Sequence, residues 1–297
     1  MLYDIHLEIT YSYEAQADAG YHLLHMQPAG IDGMQRVIAS SLDIDPIPPE
    51  RIPGKDFFGN QFVSIAFHDP VDELAFRLRA RVERFAPPEL LDMSPGLADL
   101  QREVRQTTGM TGDSPVHFTG QSPRIRRVSQ ISRWANSLGC ETMSAFQAVG
   151  AVCSALHSEM TFDPEATAVD TPLETAFSNR RGVCQDFTHI AISALRSLSI
   201  PAGYVSGFLR TIPPEGQPRL EGADAMHAWV RAWCGFEMGW VEFDPTNNMM
   251  AGDDHVVVAV GRDYFDVSPV KGTMRTAGAQ LSSQSVDMLV VDGGGKN

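Results

Sequence analysis

The sequence predicts an α+β fold in which a small antiparallel β domain precedes a larger mixed core. Three observations carry this. Apolar residues alternate with a period near two through roughly the first eighty residues. From "RIRRVSQISRWANSLG" to about Ser197 the spacing lengthens to three and four, as on a helix face. Beyond Pro201 strand-like alternation returns. The boundaries that follow are residues 1–86 for the β domain, 87–124 for a connector and 125–297 for the core.

In the first segment "YDIHLEITYSY" reads as a strand, and "NQFVSIAFHD" followed by "LAFRLRARVERF" reads as a hairpin. The turn-rich pieces "DIDPIPPERIPG" and "DFFGN" separate the strands. His22 and His25 in "YHLLHMQ" fall on opposite faces of an alternating segment, which argues against a metal site there. "APPELLDMSPG", "TTGMTGDSP" and "TGQSP" are rich in turn formers and suit a connector over the surface. "TMSAFQAVGAVCSALHSEM" continues the helical spacing. In "DTPLETAF", Thr171, Pro172 and Glu174 suggest a capping box with proline in the first turn, and "SNRRG" ends that helix. A second helix runs from about Val183 to Ser197. "GYVSGFLR", "AMHAWVRAW", "GWVEFD", "HVVVAVG" and "VDMLVV" then read as strands, and "DGGGKN" as a frayed tail.

Hydrophobic residues make up 43% of the 297 positions, enough for one large domain or two small ones. The excess of acids over bases gives a net charge of -14, which disfavours nucleic acid and anionic membranes as partners. "MLYDIHLEITYSYEA" lacks the basic start and apolar run of a signal peptide, and no segment is apolar for long enough to span a bilayer. The cysteines, Cys140, Cys153, Cys184 and Cys234, form no C-x-x-C pair, so free thiols in a reducing cytoplasm are expected. Nothing in the sequence specifies an oligomeric state.

Cys184 differs from the others in position. It sits in the first turn of its helix, on the stripe of Phe187, Ile190, Ala191, Ala194 and Leu198, with Gly182 allowing a tight approach. Free N–H groups and the positive end of the helix dipole stabilise a thiolate and can hold an oxyanion. A buried structural thiol is the alternative. A cysteine nucleophile needs a base, and His227 in "DAMHAWVRAW" is the best candidate. If residues 235–238 form the turn to "GWVEFDP", Asp244 stands opposite Trp229 and diagonal to His227. Diagonal positions lie about 7–8 Å apart, within side-chain reach. A one-residue slip would put the two on opposite faces.

The blocks "RRGVCQDFTH", "DAMHAWVRAW" and "GWVEFDPTNN" resemble, in order and spacing, the three motif blocks of the bacterial transglutaminase-like superfamily. "DIHLEITYSY" and "KDFFGNQFV" resemble its N-terminal β region, and "DHVVVAVGRDYFDVSPVKG" extends the likeness past the third block. The resemblance implies a papain-like cysteine catalytic core. It implies a Cys184 nucleophile, a His227 general base and acid, and Asp244 orienting His227. The chemistry implied is acyl transfer from an amide through an acyl-enzyme, on a peptide or other amide substrate, with no cofactor and no metal. Hydrolysis is preferred over transamidation, because nothing in the chain shows how water would be excluded in favour of an amine.

Asp186 reads as an acid favoured by the helix dipole, and His189 lies about 140° around the helix from Cys184, out of reach of the thiol. Trp229 and Trp240 read as core aromatics that could also wall a cleft. One Cys184 backbone N–H is the first oxyanion donor; the motifs do not place a second. Three rival readings stay open: a zinc site on Cys184, His227 and Asp244, which lacks the usual close ligand pairs; an arylamine N-acetyltransferase, whose nucleophile lies nearer the N-terminus; and a non-catalytic scaffold retaining the fold. Specificity would lie in loops such as "IPPEGQPRLEG".

Overall fold

The computed structural model describes residues 1–87, 90–211 and 224–291. The chain opens with β1 (Leu2–Leu24), β2 (Gln35–Asp45), β3 (Glu50–Lys55), β4 (Gln61–Phe67) and β5 (Val71–Arg84). Helices α1 (Leu97–Gln106), α2 (Ser129–Ser137) and α3 (Ala145–Glu159) follow. Next come the short strand β6 (Thr161–Phe162), α4 (Leu173–Asn179), the short strand β7 (Arg181–Gly182) and α5 (Cys184–Ser197). The chain ends with β8 (Ala202–Leu209), β9 (Ala225–Trp233), β10 (Trp240–Asp244), β11 (Met249–Met250), β12 (His255–Gly261), α6 (Tyr264–Val267), β13 (Val270–Arg275) and β14 (Gln280–Val290). The loop "IPPEGQPRLEG" and the terminal "DGGGKN" lie outside the described residues.

β1 organises the first sheet, an antiparallel half-barrel. It is 23 residues long and pairs on both edges: β5 and β14 flank its first half, and β4 and β13 its end. Tyr3, Ile5, Leu7 and Ile9 alternate inward, as a period of two requires. One expectation is corrected here: β4 and β5 do not form a hairpin; both pair with β1, at opposite ends. The last two strands, β13 and β14, also hydrogen-bond to β1. Alternation identifies a strand but carries no information about which edge it joins.

The second sheet runs β11-β10-β9-β8-β12. α5 packs against β8 and β9 and is covered by α2, α3 and α4, so every residue from Gln185 to Leu195 is buried. The capping box expected before α4 is absent. Pro172 occupies the N-cap, and the Thr171 hydroxyl accepts the Ala168 N–H at 2.9 Å instead. Arg180 ends that helix in the left-handed region, at φ 53°.

The two sheets meet along β12, an edge strand whose open side is closed by side chains of the first sheet. The Gln35 amide donates to the Val257 carbonyl at 2.7 Å and accepts from the Val257 N–H at 2.8 Å. Asn60 does the same for Val260, at 2.7 Å each way. Arg84 Nε donates to the His255 carbonyl at 2.8 Å. A primary amide presents the same donor–acceptor pair as a peptide, so these residues replace a missing neighbouring strand. Among the described residues no helix is long and apolar enough to cross a membrane.

Candidate active site

The start of α5 is built by its flanking residues. Asp186 turns back so that its Oδ2 accepts the Val183 N–H at 2.8 Å and the Thr167 hydroxyl at 2.6 Å. Gly182 makes room for this: a Cβ there would come within 2.7 Å of Asp186 Cβ. Burial pushes the Asp186 carboxyl up, and those two hydrogen bonds oppose it. Its role is to hold the helix start, in keeping with the helix-dipole reading.

Cys184 is the first residue of α5, and its N–H has no acceptor within the helix. It is half-buried, whereas Cys140, Cys153 and Cys234 are buried. Burial pushes all three of those thiols up, Cys234 to about 12. Only Cys184 combines access with a helix N-terminus.

The β9–β10 ladder pairs Trp233 with Trp240 and Val230 with Phe243. This is the register that places His227 diagonal to Asp244. Their side chains meet: His227 Nε2 lies 2.7 Å from Asp244 Oδ2, with both residues buried. Cys184 bears on the same imidazole and, with Asp244, favours its protonated form. Burial disfavours the imidazolium, but the bonds to Asp244 and Cys184 outweigh it and raise His227 to about 10. The structure therefore brings the three sequence-predicted residues together.

Asp244 is fully buried and ringed by donors. Oδ1 accepts the backbone N–H of Thr246 at 2.9 Å and of Asn247 at 3.1 Å. Oδ2 receives Asn247 Nδ2 at 2.7 Å and His255 Nε2 at 3.2 Å, besides His227. Burial alone would raise the carboxyl; the bonds from His227, His255 and Asn247 hold it well below the usual carboxylate range. Pro245 ends β10 and starts the turn that returns Asn247 to Asp244. Sequence reasoning missed Asn247 and His255. Asn247 lies inside the quoted "DPTNN" block, so its nearness was readable; His255 carried no local signal.

Trp229 lies against both imidazoles, stacked on His227 at 6.2 Å between ring centroids and edge-on to His255 at 5.1 Å. Its indole N–H donates to Glu242 at 2.8 Å. Trp240 is elsewhere, donating to the Asp113 carbonyl at 2.9 Å. His189 packs on Tyr204, accepts the Tyr264 N–H at 3.2 Å and is pushed down by burial to about 4. Burial also raises the Tyr204 and Tyr264 phenols, and the neighbouring Cys184 adds to both. His22 packs against Phe67 and Phe76, while His25 stands 3.6 Å from Asp56.

Ligand-type atoms of His227, Asp244 and His255 lie within 4.8 Å of one another. The hydrogen bonds do not suit a cation. His255 Nδ1 accepts the Gly252 N–H at 3.2 Å, so Nε2 carries the proton that faces Asp244, where a metal would need a lone pair.

Two family models match the chain: the bacterial transglutaminase-like N-terminal region over residues 3–83, and the transglutaminase-like superfamily over residues 132–245. An uncharacterized protein of Mycobacterium tuberculosis is 32% identical over 265 residues, covering 87% of this chain and 83% of its own. One from Mycobacterium leprae is 31% identical over 273 residues, 91% of each chain. Among solved structures, "a Putative Cysteine Protease from Cytophaga hutchinsonii" superposes with a TM-score of 0.76 at 21% identity, over 100% of this chain and 92% of that one. That likeness is one of fold.

Proposed function

Because the chain belongs to the transglutaminase-like superfamily, we propose that it is a cysteine-dependent amide hydrolase, a peptidase or amidase working through Cys184, His227 and Asp244. One observation carries the reading: the buried Asp244 holds Nε2 of His227, and Cys184, the half-buried one of the four cysteines, bears on the same imidazole.

The chemistry follows from that arrangement. His227, whose affinity for a proton is lowered by burial but raised more by Asp244 and Cys184, takes the thiol proton as the nucleophile forms. The thiolate attacks the amide carbonyl carbon, forming the C–S bond while the carbonyl oxygen takes up the negative charge. The Cys184 N–H at the helix start stabilises that oxyanion. As the C–N bond breaks, the His227 imidazolium gives its proton to the leaving amine. Neutral His227 then takes a proton from water, which attacks the thioester and releases the acid. Asp244 stays ionised throughout and keeps the imidazole oriented. A reduced thiol is required, which fits a cytoplasmic setting, and the substrate is a peptide or other amide.

The test is alkylation of native protein by iodoacetamide near neutral pH, with the modified residue mapped. Cys184 should react well ahead of its rate in denatured protein, and His227→Ala should remove the advantage. Equal rates in native and denatured protein would sink the reading. Peptide-library digestion then separates release of acid from incorporation of an added amine; incorporation without acid would move the assignment to transamidation.

A further inference from the structure

We propose that His255 is a positioning residue for the active site, a second imidazole that donates its Nε2–H to Asp244 and so fixes the carboxylate against His227. The proposal rests on the reading of Cys184, His227 and Asp244 given above.

His255 is fully buried at the first position of β12 and is gripped at three points. Its Nδ1 accepts the Gly252 N–H at 3.2 Å, its carbonyl accepts Arg84 Nε at 2.8 Å, and its ring meets Trp229 edge-on. The Gly252 contact selects the tautomer. An imidazole that accepts at Nδ1 presents a proton at Nε2, and that proton points at Asp244 Oδ2, 3.2 Å away. Oδ2 thus faces donors from three elements: His227 on β9, His255 on β12 and Asn247 in the turn after β10.

Three donors on one oxygen do what one could not. A buried carboxylate facing a single imidazolium has a strong tendency to take its proton, because burial penalises both charges. Each further donor stabilises the anion and leaves the proton on His227, where the leaving amine needs it. The same contacts forbid the carboxylate to rotate. Arg84 belongs to β5, so the first sheet sets the position of His255 and through it bears on the site. A buried aromatic needed for packing alone would not require an Nδ1 acceptor and an Nε2 donor each matched to a partner.

The charged and titratable groups around His255 are Asp244, His227 and Arg84, with Asp253 and Asp254 just before it in the chain. Glu242 is held on Trp229, Asp254 is held by Tyr3 and Arg210, and Cys153 of α3 neighbours Asp244.

The test compares the pH dependence of Cys184 alkylation in the wild type, His255→Leu and His255→Gln, with thermal unfolding of each. Gln places its amide N–H near the position of Nε2; Leu keeps the bulk without a donor. The Leu variant should need a pH higher by about one unit for half-maximal reaction, and Gln should restore most of that shift. An unchanged profile in Leu, with only a lower melting temperature, would overturn the proposal and leave His255 a packing residue. A wild-type rate no faster than that of His227→Ala would instead overturn the nucleophile reading, and this inference with it. Should the Leu variant fail to fold, ring-nitrogen NMR of the unmutated protein decides. The proposal requires His255 protonated at Nε2 alone, and protonation at Nδ1 would end it.

Discussion

Gly207 lies directly across the β8–β9 ladder from His227, and the indole of Trp229 fills the space its missing side chain leaves. The same absence lets the Val256 carbonyl of β12 approach. A Cβ at this position would strike both, and neither the ladder nor a fully buried indole can move away freely.

Gly207→Ala is therefore expected to destabilise the protein by about 1–3 kcal/mol and to displace Trp229 from His227. Urea unfolding reads the first effect and Cys184 alkylation the second. Wild-type stability with wild-type alkylation would show that the strand relaxes around the methyl group.

Asp244→Asn should slow Cys184 alkylation by roughly a hundredfold or more while leaving the fold cooperative. The amide oxygen can keep the N–H groups of Thr246 and Asn247, but the amide nitrogen then faces three donors, those of His227, His255 and Asn247. His227 must turn or change tautomer to escape that conflict. A reaction rate within a few-fold of wild type would contradict the role given to Asp244.

Stability should vary with pH in a direction His227 dictates. Its folded value, about 10, lies above the ordinary unfolded value of ~6.5, so the folded state holds the proton more tightly. The contribution is fully present below that unfolded value and is lost as pH rises toward the folded one. Urea midpoints should accordingly fall between about pH 6.5 and 10. His227→Gln should flatten that slope, whatever it does to overall stability.

Gln35→Ala should destabilise the junction between the sheets by about 1–3 kcal/mol, since it leaves the buried N–H of Val257 unpaired and its carbonyl with the Ala29 N–H alone. Gln35→Glu should be as harmful, because a carboxylate cannot donate to the Val257 carbonyl. Denaturant unfolding monitored at the β12 backbone by hydrogen exchange would read it directly. Unchanged protection at Val257 in both variants would refute the edge-closing role.

Much of the site was legible before the structure. The register of β9 and β10 follows from a short turn and strict alternation, and it places Asp244 diagonal to His227. The helix start at Cys184 follows from the stripe of apolar residues behind it. These are local facts, separated by few residues or fixed by a single repeating period. The contacts that complete the site are not local. Arg84 and His255 are 171 positions apart, and Asn60 and Val260 are 200. No periodicity links such pairs, because which edge of which sheet a strand meets is a property of the whole packing.

The sequence by itself determined the α+β class and the strands and helices that carry the blocks, and the resemblance of those blocks pointed to the three residues on which the chemistry is proposed. The class and the elements rest on propensity or periodicity, which act over a few residues. Only the tertiary structure decided that β1 gathers β4, β5, β13 and β14, and that amides of the first sheet close β12. It alone brought His255 to Asp244. Those outcomes depend on burying apolar faces and pairing every polar group they enclose, a condition set by the chain as a whole.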